Sequence, residues 1–218
     1  MQLRYSIFGE SHGPGIGVVI EGLPSGLMVD MDFIQSEMDR RRAKKGGLST
    51  TRLEGDCPEI ISGVFEGRTT GTPLCAMIRN ENTRSGDYTR TMDLARPSHA
   101  DYTGRIRYGG YNDYRGGGHF SGRLTAPLVF AGAIAKLWLV QQGIRVGGHV
   151  LRIGSVEDVP FDMVNVSAEQ LDQLAGRSLP TISEQAGLQM EEVIQQARTD
   201  LTSVGGIIQI AVTGLPAG

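Results

Sequence analysis

Four short stretches hold the residue types that proton transfer and anion chemistry require. In GESHG, residues 9–13, glycines enclose Glu10, Ser11 and His12. A turn that only reverses the chain needs glycine or asparagine and no imidazole. Histidine titrates near neutral pH and can give or take a proton, with its neighbours orienting it or a ligand. The second stretch, DRRRAKKGGLSTTR, gathers Arg40, Arg41, Arg42, Lys44, Lys45 and Arg52. A basic end to a helix also suits the negative end of its dipole, so a solvated face accounts for part of this run. A local arginine cluster nonetheless fits phosphate or carboxylate, because the guanidinium fork pairs with two oxygens at once. The third, ARPSHAD, sets Arg96, His99 and Asp101 around the stiff Pro97. In the fourth, YRGGGHFSGRLTAP, three glycines precede a helix expected to start at Ser121. Backbone N–H groups and the positive helix end would make an anion site there, with Arg123 adding a full charge.

With four histidines in 218 residues, two of them in loops beside charged groups exceed what packing explains. Together the stretches describe a pocket for an anionic small molecule, with arginines for its oxygens and two histidines for its protons. The chain shows no nucleophilic serine or cysteine arrangement, no metal-ligand spacing, no Gly-Lys-Ser/Thr P-loop and no GxGxxG after a strand. Acid–base elimination or phosphate loss is the simplest chemistry for that set.

Composition agrees with a globular protein: 39% hydrophobic, 21% charged, formal charge -3. A slightly acidic balance, with no aromatics between the cations, argues against nucleic acid. Residues 124–140, LTAPLVFAGAIAKLWLV, are the one stretch to suggest a membrane. They are short, contain Pro127 and Lys136, and read as a buried helix. Cys57 and Cys75 have no CxxC partner and no leader opens the chain, which points to the cytoplasm.

The elements that must position these residues are short. Apolar runs bounded by glycine read as strands at 3–9, 15–22, 59–67, 72–80, 145–155 and 205–214, several of them antiparallel. Helices are expected at 31–43 after Asp30, at 121–142 up to Gly143, from Ser167 to about 175, and at 188–201. Without strict βαβ alternation this is α+β or layered αβ, not a dinucleotide-binding fold. The 31 glycines gather in clusters beside charged residues, as binding loops do, although tight turns between short strands use them too. The ending VTGLPAG, after a strand, suggests a chain that leads further.

FGESHG, the RRR closing the first helix, SGVFEGRTTGTPL, RPSHADYTGRIRYGGYNDYRGGGHFSGR and GAIAK occur in the order and spacing of chorismate synthase. The chain resembles that family over essentially its whole length. The resemblance implies one domain over 1–218, lacking the family's C-terminal part. Its fold would be α+β, a β-α-β sandwich with helices packed between antiparallel sheets. The implied reaction converts 5-enolpyruvylshikimate 3-phosphate to chorismate, an anti-1,4 elimination that needs reduced FMN without net oxidation. A homotetramer in the cytoplasm, with no nucleic-acid or membrane partner, is implied as well.

By the same resemblance His12 protonates the departing phosphate and His99 acts on the reduced flavin. Ser11, Arg42, Arg52, Arg96 and Arg123 surround the substrate's phosphate and carboxylates. Arg41 matches a position associated with nicotinamide nucleotide, which leaves open whether NADPH or an external reductant reduces the flavin. His119, Phe120, Ser121 and Gly122 match part of the flavin site. The chain departs from the family at Gly47, where arginine is common nearby, at Ser98, usually glycine, and at His119 and Phe120, usually Arg-Ser. The family's later Lys-Pro-Thr and Arg-His-Asp-Pro segments are not in these 218 residues. A remnant that binds an anion or a partner chain without turnover is the alternative.

Overall fold

A computed structural model describes residues 2–43, 47, 53–81, 88 and 92–217. The chain divides into two compact units, Met1–Lys45 with Thr50–Leu137 and Gly46–Ser49 with Trp138–Gly218. Each is built on an antiparallel sheet with helices, which is the expected α+β class.

The first unit runs β1 (Arg4–Gly9), β2 (Gly15–Glu21), α1 (Met31–Arg41), β3 (Pro58–Ser62), β4 (Val64–Phe65), β5 (Arg68–Thr69), β6 (Leu74–Arg79), α2 (Asp101–Arg107) and most of α3 (Thr125–Gln141). Among the described residues, four strands pair in the order β1-β2-β6-β3. Alternation puts Ile16, Val18 and Ile20 of β2 on one face, and their partners on β6 are Ile78, Ala76 and Leu74. All six are buried, so a single register brings together the centre of the core. Asp30 caps α1 by accepting from the Phe33 N–H at 3.0 Å, and α1 buries Ile34 and Met38, one turn apart. α3 buries Ala126, Phe130, Ala133 and Ile134, a helical stripe. Lys136 ties α3 to α1, 3.0 Å from Glu37 and 5.7 Å from the centre of the Phe33 ring.

Three expectations change. The run expected at 59–67 breaks into β3 and β4 at Gly63, because the left-handed turn there lies directly against the Leu74 backbone. α3 starts at Thr125 rather than Ser121, since a 3₁₀ turn, Gly122–Leu124, intervenes. α2 was not among the expected helices: it is seven residues long with a single buried residue, Gly104, and so has no apolar stripe to read. The helical run Arg115–Gln141 is by length and composition apolar enough to cross a membrane. It is interrupted by the non-helical Gly116, Gly117 and Gly118.

The second unit holds β7 (Arg145–Ile153), β8 (Val156–Glu157), α4 (Ala168–Ala175), α5 (Glu184–Thr199) and β9 (Gly206–Thr213), with strand order β8-β7-β9. Phe161, Leu171 and Leu174 form its core with Val166, Ile182 and Ala211. Helix α5 begins at Glu184, four residues before the expected start, because Ser183 caps it through the Ala186 N–H.

Beneath β7 lies a buried polar pair. His149 Nδ1 is 2.9 Å from Asp158 Oδ2, and its Nε2 is 2.9 Å from Gln209 Oε1. Asp158 also accepts the Ile182 and Ser183 N–H groups at 2.5 and 2.8 Å. Burial works to raise the Asp158 pKa, but the N–H donors of Ser183, Ile182 and Val159, with the His149 ring, outweigh it and hold the carboxyl below its ordinary value. A depressed carboxyl contributes stability above its unfolded pKa of about 3.9 and loses it as pH falls through the folded value. Asp158→Asn is therefore expected to lower Tm at pH 7 and to flatten the dependence of Tm on pH below about pH 4. Thermal unfolding of both proteins across that range is the check.

Candidate active site

The loop between β1 and β2 carries Ser11 and His12, and it is stitched to a glycine strap more than a hundred residues later. The Ser11 N–H donates to Gly118 O at 3.1 Å, and Ser11 Oγ lies 3.0 Å from Gly116 O and 3.4 Å from Arg115 O. His119 Nδ1 is 3.0 Å from Gly9 O, which only accepts, so this nitrogen carries the hydrogen. Gly116 has φ 58 and Gly117 φ 90. A Cβ on Gly116 would enter the His12 imidazole, and one on Gly117 would stand 2.9 Å from His99 Nε2. The two adjacent glycines thus seat the two histidines, with no room for a side chain at either. The expectation that these glycines open onto the start of α3 changes accordingly: the left-handed strap Gly116–Gly118 ends seven residues before Thr125.

The partners of each imidazole fix where its mobile proton sits. Ser11 Oγ faces two carbonyl oxygens and, at 3.0 Å, His12 Nδ1. Because carbonyls only accept, the hydroxyl gives its hydrogen to Gly116 O and receives Nδ1–H from His12. With Nδ1 engaged by Ser11, Nε2 is the ring nitrogen through which proton transfer can run. Its ring also meets Tyr88 edge-on, with centroids 5.1 Å apart. Asp113 brings negative charge nearby; the Arg115 guanidinium beside it holds its carboxyl below the ordinary range, with a smaller contribution from His12.

His99 is held by Asp101, whose Oδ1 is 2.6 Å from Nδ1. Asp101 is itself gripped by Arg96, through Nε at 2.7 Å and Nη2 at 2.8 Å. That fork drives the Asp101 carboxyl far below its ordinary pKa, so it stays an acceptor and fixes Nδ1–H. Nε2, the nitrogen turned toward Gly117, is left as the base. Between Arg96 and His99 sits Ser98 at φ 60, a left-handed conformation that costs an L-residue about 1–2 kcal/mol. Ser98→Gly removes that cost, against about 0.5–1 kcal/mol of added chain entropy. A net gain of about 0.5–1 kcal/mol in urea unfolding is expected.

The arginines divide into two kinds. Arg42 at the end of α1 is 38% exposed and pairs with its neighbour Asp39 at 3.0 Å. Arg41 and Arg123 instead share one buried carboxylate: Arg41 Nη1 is 2.6 Å from Asp56 Oδ2, and Arg123 Nη1 is 2.5 Å from Asp56 Oδ1. Arg41 also donates to Thr125 Oγ1 and Gly122 O. Arg123, 7% exposed, donates to Asn80 Oδ1 at 2.6 Å and to Arg79 O at 3.3 Å, with Glu54 3.8 Å away. Arg52 lies outside the described residues.

Phe120 packs over Gly104 of α2 and against Tyr108, and Ser121 caps the short turn before α3 by accepting from the Arg123 N–H. Beside Arg96 and Asp101 opens a cleft of about 450 Å³ lined by Tyr88, Tyr102, Tyr114 and Arg105. Of the residues picked from sequence, Ser11, His12, His99 and Arg96 come together around the glycine strap. Arg41 and Arg123 meet at Asp56, and Arg42 stands apart at the helix end. The sequence reading does not pick out Asp56, Asn80, Glu54, Asp113 or Tyr88. Only Asn80, a polar residue directly after a strand, stands at a position where a loop brace is a reasonable expectation. Among the described residues no group of three or more His, Cys, Asp or Glu stands together as a metal site would require.

Comparison with known proteins gives one consistent family. A family model described as chorismate synthase matches residues 3–218. The chorismate synthase of Pyrococcus abyssi is 44% identical over 99% of this chain and 58% of its own length. That of Aliarcobacter butzleri is 43% identical over the whole chain and 58% of its own length. A crystal structure of chorismate synthase superposes with a TM-score of 0.73 at 26% identity, covering 99% of this chain and 59% of the solved one. The chain therefore spans less than three fifths of these relatives, and the GESHG loop, the RPSHAD turn and the glycine strap all lie inside the matched part. By sequence and by fold, the chain belongs to the chorismate synthase family.

Proposed function

We propose that this chain performs chorismate synthase chemistry, the anti-1,4 elimination of phosphate from 5-enolpyruvylshikimate 3-phosphate. The carrying observation is the glycine strap, with Gly116 seated against His12 and Gly117 against His99, each imidazole held through Nδ1 by a neighbouring side chain. In the reaction the C–O bond to phosphate breaks, the electron pair leaves on the phosphate oxygen, and a ring proton departs as the new double bond forms. His12 delivers its Nε2 proton to the leaving phosphate, which is a poor leaving group until its charge is neutralised. Ser11 keeps that proton on Nε2. In this reading Arg42, Arg52 and Arg96 would bind the phosphate and carboxylates of the substrate, and Arg123 would act alongside them through the loop it braces.

The cleft beside His99 suits a planar anionic ring system, since three tyrosines supply aromatic faces and Arg96 and Arg105 supply cations. Reduced FMN would be held there and by His119, Phe120, Ser121 and Gly122; when bound it supplies electron density to the substrate as phosphate leaves and recovers it as the ring proton departs. In this reading His99, held by Asp101, would act on that cofactor. A nicotinamide nucleotide reaching Arg41, as NADPH would, has to compete with Asp56 for the guanidinium. A cytoplasmic homo-oligomer, tetrameric as in the family, belongs to the same reading. Cys57 and Cys75 are free thiols, and β9 leaves Ile208, Ile210 and Val212 exposed as apolar surface for a partner to cover.

The test is anaerobic incubation of this chain with substrate and excess chemically reduced FMN. Equal amounts of phosphate and chorismate are expected. A folded chain that binds the substrate and releases neither would make it an anion-binding remnant.

A further inference from the structure

The loop that carries His12 is closed by one side chain that no motif singles out. Asn80, immediately after β6, donates from Nδ2 to both Glu10 O and Gly13 O at 2.9 Å, bridging the two ends of the Ser11–His12 turn. Its backbone N–H donates to Pro14 O at 3.2 Å. The amide cannot be turned round, because Oδ1 receives Arg123 Nε at 2.6 Å and a guanidinium only donates. Arg123 in turn is anchored on Asp56, which also holds Arg41. The polar line therefore runs from the end of α1 through Asp56, Arg123 and Asn80 to the histidine loop.

We infer that Asn80 is a positioning residue for His12, holding the loop so that Ser11 and the imidazole meet the glycine strap in register. The inference rests on the proposed role of His12 as the acid. Two donors 2.9 Å from two carbonyls, with an acceptor turned to a buried cation, is a set that asparagine alone fits at this length of side chain. Aspartate has the same shape and keeps the contact with Arg123, but it sets a carboxylate oxygen against two carbonyl oxygens. It therefore removes the brace without opening a cavity.

The test uses Asn80→Asp with the milder Asn80→Ser, read by the His12 ring resonances in a proton–nitrogen spectrum and by steady-state kinetics. With only four histidines in the chain, the ring signals can be assigned by substitution. Expected are a displaced His12 signal, an unchanged His149 signal, and a kcat lowered about 100-fold with KM held within a few-fold. Should Asn80→Asp fail to fold, Asn80→Ser is expected to move the same signal in the same direction and to lower kcat less. An unmoved His12 resonance in a folded variant overturns the inference, as does a wild-type kcat. If the unsubstituted chain shows no turnover, the proposed function fails, yet the His12 resonance still decides the role of Asn80.

Discussion

His12→Ala is expected to lower kcat by about 10²–10⁴-fold and to leave substrate affinity within a few-fold of the parent. The expectation follows from where the imidazole stands and what it is not needed for. Its Nδ1 is engaged by Ser11 and its ring lies on Gly116, so the proposed proton transfer runs through Nε2. Anion binding in the proposed site falls to arginines, which alanine at position 12 leaves in place. Removing the imidazole therefore withdraws a proton donor from the transition state and little from the ground state, the pattern in which kcat falls while KM stays. The alkaline limb of the pH–rate profile, where a required acid is lost by deprotonation, should vanish with it. Ser11→Ala is the companion experiment: it leaves the ring but removes the acceptor for Nδ1–H, so a smaller loss accompanied by a shifted pH profile is expected. The measurement is single-turnover phosphate release with pre-reduced FMN, which excludes flavin reduction from the rate. A His12→Ala protein with parental turnover under those conditions would remove His12 from the chemistry.

How far this site can be read from sequence depends on the kind of signal each residue gives. His12 and His99 are legible because an imidazole in a glycine loop beside a charge serves no turn and no core. The core strands are legible too, through alternation at Ile16, Val18 and Ile20, and the Asp30 and Ser167 caps behave as local chemistry dictates. The glycine strap is legible as a cluster but not as a seat for two rings, because neither the sign of φ at Gly116 nor its partner Ser11, 105 residues back, is a local property. Arg123 shows the same limit from the other side. A lone arginine before a helix reads as an anion ligand, whereas its partners Asp56 and Asn80 lie 67 and 43 residues back and fold it inward. Helix α2 is hidden for a different reason: its one buried residue is a glycine covered by Phe120, so nothing in its hydrophobic pattern repeats.

Arg123→Ala should be the most damaging of the arginine substitutions, costing about 3–5 kcal/mol in urea unfolding. The reason is what it leaves behind. Asp56 is 2% exposed, and its carboxylate divides between two guanidinium groups, so removing the buried one strands a charge that water cannot reach. Asn80 Oδ1 loses its donor in the same step. Arg41 remains on the other oxygen, which sets the expectation toward the lower end of that range. Arg41→Ala, with its side chain 22% exposed and Arg123 still on Asp56, should cost about 1–2 kcal/mol. Arg42→Ala, whose pair with Asp39 is open to solvent on both sides, should stay within about 0.5 kcal/mol. Three arginines drawn from motifs of one type thus separate by burial alone. The decisive control is the Arg123→Ala, Asp56→Asn double substitution, which removes the stranded charge along with the cation. If the loss comes from an unpaired carboxylate, the double variant is more stable than Arg123→Ala alone, with a coupling energy above about 1 kcal/mol. If the two losses simply add, Asp56 is already served by Arg41, and the work of Arg123 lies in holding Asn80 and the loop beyond it.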